Sequence, residues 1–226
     1  MKLRARHPAL ALALSCPPAL ASPPSLRAGL ESPSGWTEVD RKTVDGVGEV
    51  IVRHKQIDGE DCLEGSTVAT LDPDALLAAA SDVEAQPKWS SWKVAAAKKL
   101  TGGSGSFDYY QLLDNPGPVA DRYWFVRATT GMSGDDRYFK WDQVDAATAY
   151  PAEMEALVTR FPGAVPTRTN VGDWTFSPGA TGTTIRYRIC TDAGGNLPRW
   201  VGEIAARSTL PTNVADIVRE VKRRGG

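Results

Sequence analysis

From Trp36 onward the chain alternates polar and apolar residues in short runs broken by glycine and proline. Val50, Val52 and His54 alternate with Ile51, Arg53 and Lys55, which predicts a strand over 47–56 behind a first strand over 36–42, joined at Asp45-Gly46. Asp58-Gly59 marks the next turn, and 62–71 reads as a third strand. Asp72-Pro73 then starts a helix, with Asp as cap and Pro in the first helical position; Leu76, Leu77, Ala80 and Val83 mark its buried face and Pro87 its end. Trp89 and Trp92 are expected to pack short helices onto the sheet rim. Strands resume over 94–101, 106–114, 123–130 and 137–146, each with its own turn, so an antiparallel meander is expected. Met154, Leu157, Val158 and Phe161 give 150–161 a helical pattern, expected as an insertion against the sheet edge. Two last strands follow, over 165–178 and 183–191.

After Asp192-Ala193-Gly194-Gly195-Asn196-Leu197-Pro198-Arg199-Trp200 the period changes from two to three and four. Leu197, Trp200, Val201, Ile204, Leu210, Val214, Ile217, Val218 and Val221 form one stripe, while Arg199, Glu203, Arg207, Arg219, Glu220 and Lys222 take the other face. Such a helix needs a surface to lie on, and the strands upstream supply a sheet. The expected class is α+β, a long C-terminal helix on a curved antiparallel sheet, with a kink near Thr209 because Pro211 cannot donate its amide hydrogen bond.

A chain of 226 residues with 42% hydrophobic types and no internal repeat reads as one domain with a real core. The net charge of −1, with both signs mixed, argues against nucleic acid as a partner. Residues 1–21 read as a signal peptide: Lys2, Arg4, Arg6 and His7 are basic, Ala9 to Leu14 are apolar, and Ala19-Leu20-Ala21 precedes Ser22. Export to the periplasm or the exterior is therefore expected, and the Ser/Pro-rich stretch 22–35 reads as a disordered lead-in to a domain spanning 36–226. A minor alternative takes Ala13-Leu14-Ser15-Cys16 as a lipoprotein box anchored through Cys16. The mature chain keeps Cys62 and Cys190, which in an exported protein are either a bridge or two thiols.

Catalytic patterns are sparse. His7 lies in the leader, leaving His54, read as an exposed strand histidine, as the one imidazole for a nucleophilic triad. Nucleophile elbow, phosphate loop, zinc spacing and dinucleotide fingerprint are all missing, so no enzyme activity, metal or cofactor is expected. Tyr109, Asp121 and Tyr187 remain reserve candidates for acid or base roles.

Four segments in order carry a resemblance: Asn115-Pro116-Gly117-Pro118-Val119-Ala120-Asp121-Arg122; Gly172-Asp173-Trp174-Thr175-Phe176-Ser177-Pro178; Thr184-Ile185-Arg186-Tyr187; and 192–201, opening Asp192-Ala193-Gly194-Gly195. Together with Ser81-Asp82 to Trp89 they resemble the START domain, the lipid-transfer domain related to the steroidogenic acute regulatory protein, in the wider SRPBCC superfamily. The likeness runs from about Trp36 to the C-terminus. It implies a helix-grip fold in which the sheet and the last helix enclose a hydrophobic tunnel. Tyr123 stands where the family usually has an acid, and Glu203 where an Asn is frequent, so the polar end of the pocket departs from the pattern.

On this basis a ligand would be lined by Tyr109, Gln111, Leu113, Trp124, Val126 and Phe139 from the central strands, by Ile185, Tyr187 and Ile189 from the last strand, and by Trp200, Val201, Ile204 and Ser208 from the helix. Alternation alone leaves the register of the central strands open, since a slip of one residue inverts each set. Arg122 is expected either against an internal carboxylate or at the rim in a salt bridge. In this fold the third and last strands are antiparallel neighbours, which implies a Cys62–Cys190 disulfide and sets Glu64 opposite Arg188 on the outer face. The implied function is binding or transfer of a sterol-like, hopanoid-like or acyl lipid by a monomer in transient contact with membranes. The alternatives are a cyclase or hydratase acting on a hydrophobic substrate, and an exported protein-interaction module.

Overall fold

The computed structural model describes residues 22–115, 117, 119–195 and 199–225, with 199–206 described by backbone alone. The signal-peptide and lipoprotein readings on 1–21 lie outside the described residues. The strands are β1 Thr37–Val44, β2 Gly48–Ile57, β3 Glu60–Ala69, β4 Val94–Gly102, β5 Ser106–Leu113, β6 Arg122–Ser133, β7 Asp136–Gln143, β8 Val165–Pro166, β9 Thr169–Gly179 and β10 Gly182–Asp192. They form one sheet in the order β1-β2-β3-β10-β9-β7-β6-β5-β4, antiparallel along that path, and short β8 runs parallel to β6. The helices are α1 Pro24–Glu31, α2 Pro73–Ser81, α3 Gln86–Trp89, α4 Ala146–Ala149, α5 Pro151–Arg160 and α6 Arg199–Arg223, with a 3-10 turn at Val83–Ala85.

Local chemistry explains the boundaries. Asp58 and Gly59 both take positive φ, 52° and 82°, the backbone of a two-residue hairpin turn whose twist matches the flanking strands. The Asp72 carboxylate accepts from the amides of Asp74 and Ala75 at 3.4 and 3.2 Å, so α2 starts where the sequence predicts. Its end differs: α2 stops at Ser81, and Pro87, expected as the terminator, instead sits in the first turn of α3, where its missing N–H costs nothing.

α6 lies across β1, β2, β3 and β10 and against α2. Gly65 on β3 permits the approach: a Cβ there would stand 3.0 Å from Val214 and 3.1 Å from Leu210. The main core lies between this inner face and α6, where Phe139, Phe176, Ile185, Val214, Ile217, Val218 and Val221 are almost fully buried. Glu220 departs from the polar face expected for it; it is buried and receives Arg223 and Arg224 at 2.7 Å each.

Two helices cover the outer face. The stretch expected as a disordered lead-in forms α1, because Leu26 and Leu30 bury fully against Ile57, Val171 and the Cys62–Cys190 disulfide. Arg27 fixes this helix, donating to the carbonyls of Trp141 and Gly172 and to Asp142. α5 lies on the outer face at the β4 end of the sheet, over β4, β5 and β6 through Leu157, Leu112 and Phe125, because each of those strands presents apolar residues outward. His54 is half-buried with Asp61 at 3.0 Å rather than exposed.

Candidate functional site

The register of β5, β6, β7 and β10 puts Tyr109, Gln111, Leu113, Trp124, Val126, Phe139, Ile185, Tyr187 and Ile189 on the inner face. Tyr109, Val126, Phe139 and Ile185 are buried in its core, and Trp124, Tyr187 and Ile189 pack against that core while only partly buried. Leu113 is buried at the end of β5, and Gln111 donates to the Gln86 side chain at 2.6 Å, tying the sheet to α3.

Sequence reasoning missed Phe107, Trp141, Trp174 and Phe176, although alternation along β7 and β9 puts them on this face. They complete an aromatic floor. Phe107 meets Phe139 at 6.0 Å between ring centroids, Phe139 meets Trp141 at 5.6 Å, Trp141 meets Tyr187 at 5.9 Å and Tyr187 meets Trp174 at 4.5 Å. Gly172 makes room for it, since a Cβ there would stand 2.2 Å from the Trp141 ring. The Trp141 indole N–H is satisfied by Asn170 at 2.8 Å.

Polar groups are few, and several lack partners. The hydroxyls of Tyr109 and Tyr187 make no hydrogen bond among the described residues. Burial pushes both phenols well above the ordinary tyrosine range; for Tyr109 the neighbouring Tyr187 adds to this, and for Tyr187 the charge of Asp173 does. Both are therefore neutral O–H donors across the physiological range. The indole N–H of Trp89, on α3 beside the same core, is buried without a hydrogen-bond partner among the described residues. Such groups in a native interior call for an explanation.

The Arg122 guanidinium donates to the carbonyls of Ala193 at 2.6 Å, Gly194 at 3.3 Å and Ala120, so it holds the backbone at the end of β10. The turn needs its glycines: Gly194 and Gly195 have φ of 65° and 66°, and a Cβ on Gly194 would stand 2.6 Å from the Pro166 carbonyl. Ser208 is exposed rather than turned inward. The side chains of Trp200, Val201 and Ile204 lie outside the described residues. The lower half of α6 is anchored by Asp216, which accepts from the Ser91 amide at 2.7 Å and hydroxyl at 2.8 Å; burial outweighs these bonds and raises its pKa. Asp121, a reserve candidate, caps its own loop by accepting from the Asn115 amide at 3.1 Å.

Searches against family models and against curated proteins found no match. Solved structures do match. A STAR-related lipid transfer protein from Xanthomonas axonopodis aligns over 84% of this chain and 98% of its own, at TM-score 0.63 and 20% identity. Human STARD10 aligns over 88% and 78% at TM-score 0.70 and 17% identity, and human StAR-related lipid transfer protein 5 over 89% and 93% at TM-score 0.70 and 14% identity. The Zhui aromatase/cyclase of a Streptomyces is similar at TM-score 0.50 over 73% of this chain. At these identities the likeness establishes the fold, a START-like helix-grip architecture.

Proposed function

We propose that this chain binds one lipid-like molecule between the inner face of the sheet and α6 and carries it without chemical change. The observation behind this reading is the aromatic floor, only partly buried at Trp124, Tyr187 and Ile189, with the two unpartnered phenols set into it. An apolar guest there gains roughly 25 cal/mol per Å² of surface removed from water, so enclosing 200 Å² is worth about 5 kcal/mol. The phenols would orient the guest by donating to a carbonyl or hydroxyl oxygen. Their raised pKa values keep both phenols protonated, so neither stands ready as a phenolate base. The fold shared with lipid-transfer proteins supports the same reading. The leader pattern and the buried disulfide support a place outside the cytoplasm, in the periplasm or beyond.

Native mass spectrometry of the full chain, purified without detergent and followed by solvent extraction, tests this. The expected result is a single adduct of lipid mass that a sterol or acyl probe displaces; absence of both adduct and saturable probe binding overturns it. A cyclase reading draws on the phenol pair and the aromatase/cyclase likeness. It differs in outcome, because a catalyst returns a guest of altered mass or ring count and a carrier returns it unchanged.

A further inference from the structure

The outer face carries an open groove of about 520 Å³ between the end of α1 and the β6–β7 hairpin. Trp36, Arg53, Tyr138, Lys140, Arg186 and Arg188 contribute to its walls. Strand register sorts these residues into two rows. In the first, Lys140, Asp173, Arg188, Glu64 and Arg53 stand opposite one another on β7, β9, β10, β3 and β2, so the signs alternate and each carboxylate lies between two cations. The expected Glu64–Arg188 pair is thereby redistributed: Arg188 meets Asp173 at 2.9 Å, and Glu64 receives Arg53 at 2.7 Å.

In the second row Tyr138, Thr175, Arg186 and Ser66 are opposite one another, and Arg186 is the single charge. Its Nε lies 3.4 Å from Glu64, the carboxylate that Arg53 already engages. Two guanidiniums thus share one counter-charge. The terminal nitrogens of Arg186 have no other partner among the described residues, and its side chain is 35% exposed. The hydroxyls of Tyr138 and Ser133, both on the groove wall, likewise make no hydrogen bond among the described residues. Of the acidic wall residues, Glu31 is neutralised by Lys140 at 2.7 Å, and Asp136 at the hairpin end has no ion-pair partner among the described residues, which disfavours a polyanion.

A groove with surplus donors around one under-matched arginine is built to accept negative oxygen. We propose that it binds a small oxyanion of low charge, held by the Arg186 fork with Tyr138, whose ring together with Trp36 covers the ligand's apolar part. The oxyanion comes either from a lipid headgroup or from a free anion in solution. This site lies on the sheet face opposite α6 and does not depend on the carrier reading.

The test uses the full chain at fixed ionic strength. Inorganic phosphate is titrated by calorimetry, and sedimentation is measured with phosphatidylcholine vesicles with and without phosphatidylglycerol. Saturable phosphate binding is expected, weakened about tenfold by Arg186→Gln, the scale of one lost charge-assisted fork. Arg186→Lys keeps the charge but loses the fork and is expected to fall between, whereas Glu64→Gln frees both guanidiniums and strengthens binding. Phosphatidylglycerol-dependent sedimentation that Arg186→Gln abolishes assigns the headgroup as source; phosphate binding without it assigns the free anion. Absence of saturable binding of both probes, or affinity unchanged in both Arg186 variants at unchanged melting temperature, overturns the proposal.

Discussion

The two faces of one sheet are built on opposite principles. Inside, rings and aliphatic chains meet at van der Waals distance with few directional bonds, and two phenols and an indole N–H have no hydrogen-bond partner among the described residues. Outside, position is set by charge: Arg27 and Arg188 converge on the buried Asp173, while Arg127 and the Tyr150 hydroxyl converge on Asp108. Non-directional packing tolerates a guest of variable shape, whereas ion pairs and hydrogen bonds lose most of their value when displaced by an ångström. The adaptable face is therefore the one under α6. The outer face, pinned by the disulfide, α1 and α5, serves as its rigid frame.

The contrast breaks most severely at Phe176, fully buried in the inner core. Phe176→Ala is expected to cost about 3–5 kcal/mol in denaturant unfolding, since the strands on either side hold the cavity open. On the outer face, the paired change Cys62→Ala with Cys190→Ala removes a crosslink between residues 128 apart in sequence and should cost roughly 2–4 kcal/mol in the same measurement. A wild-type protein whose stability is insensitive to reductant would contradict that frame role.

Asp108 gives a pH-resolved case. Burial alone would raise its pKa, yet the hydrogen bonds from Arg127 and Tyr150 together hold it below the ordinary 3.8. Its contribution is thus fully present above that value and drains away as pH falls through the lower folded pKa. Asp108→Asn is expected to cost about 1–2 kcal/mol near neutrality and to flatten the acid limb of the stability curve, read by melting temperature from pH 2 to 7. The smallest effect, and the opposite sign, belongs inside. Tyr109→Phe removes a hydroxyl with no hydrogen-bond partner among the described residues, so the ligand-free protein should hold its stability or gain up to about 1 kcal/mol while probe affinity falls severalfold. A loss of more than 1 kcal/mol without ligand would show that the phenol is already satisfied.

Most strands and the long helix could be read directly from alternation and turn residues, because each depends on neighbours a few positions away. Period two left the inward faces of β5 and β6 open, and the strand pairing decided them, with Tyr109 opposite Val126 and Gln111 opposite Trp124. The misread elements share a different cause. Residues 22–35 have the composition of a linker, yet Leu26 and Leu30 gain burial on a surface made by strands far along the chain. The Gly194 turn brings a carbonyl to Arg122 from 72 residues away, a partner that no local pattern announces. Glu220 likewise belongs to the polar face by periodicity and is buried through Arg223 and Arg224.

Backbone chemistry near each residue was enough to specify the order of elements, the turns at Asp58-Gly59 and Gly194-Gly195, and the apolar stripe of α6, since propensity, capping and φ preference act locally. Which carboxylate each arginine meets, which outer patches α1 and α5 cover, and where donors remain unspent on either face arose from strand order, because burial and charge pairing depend on what distant segments bring alongside.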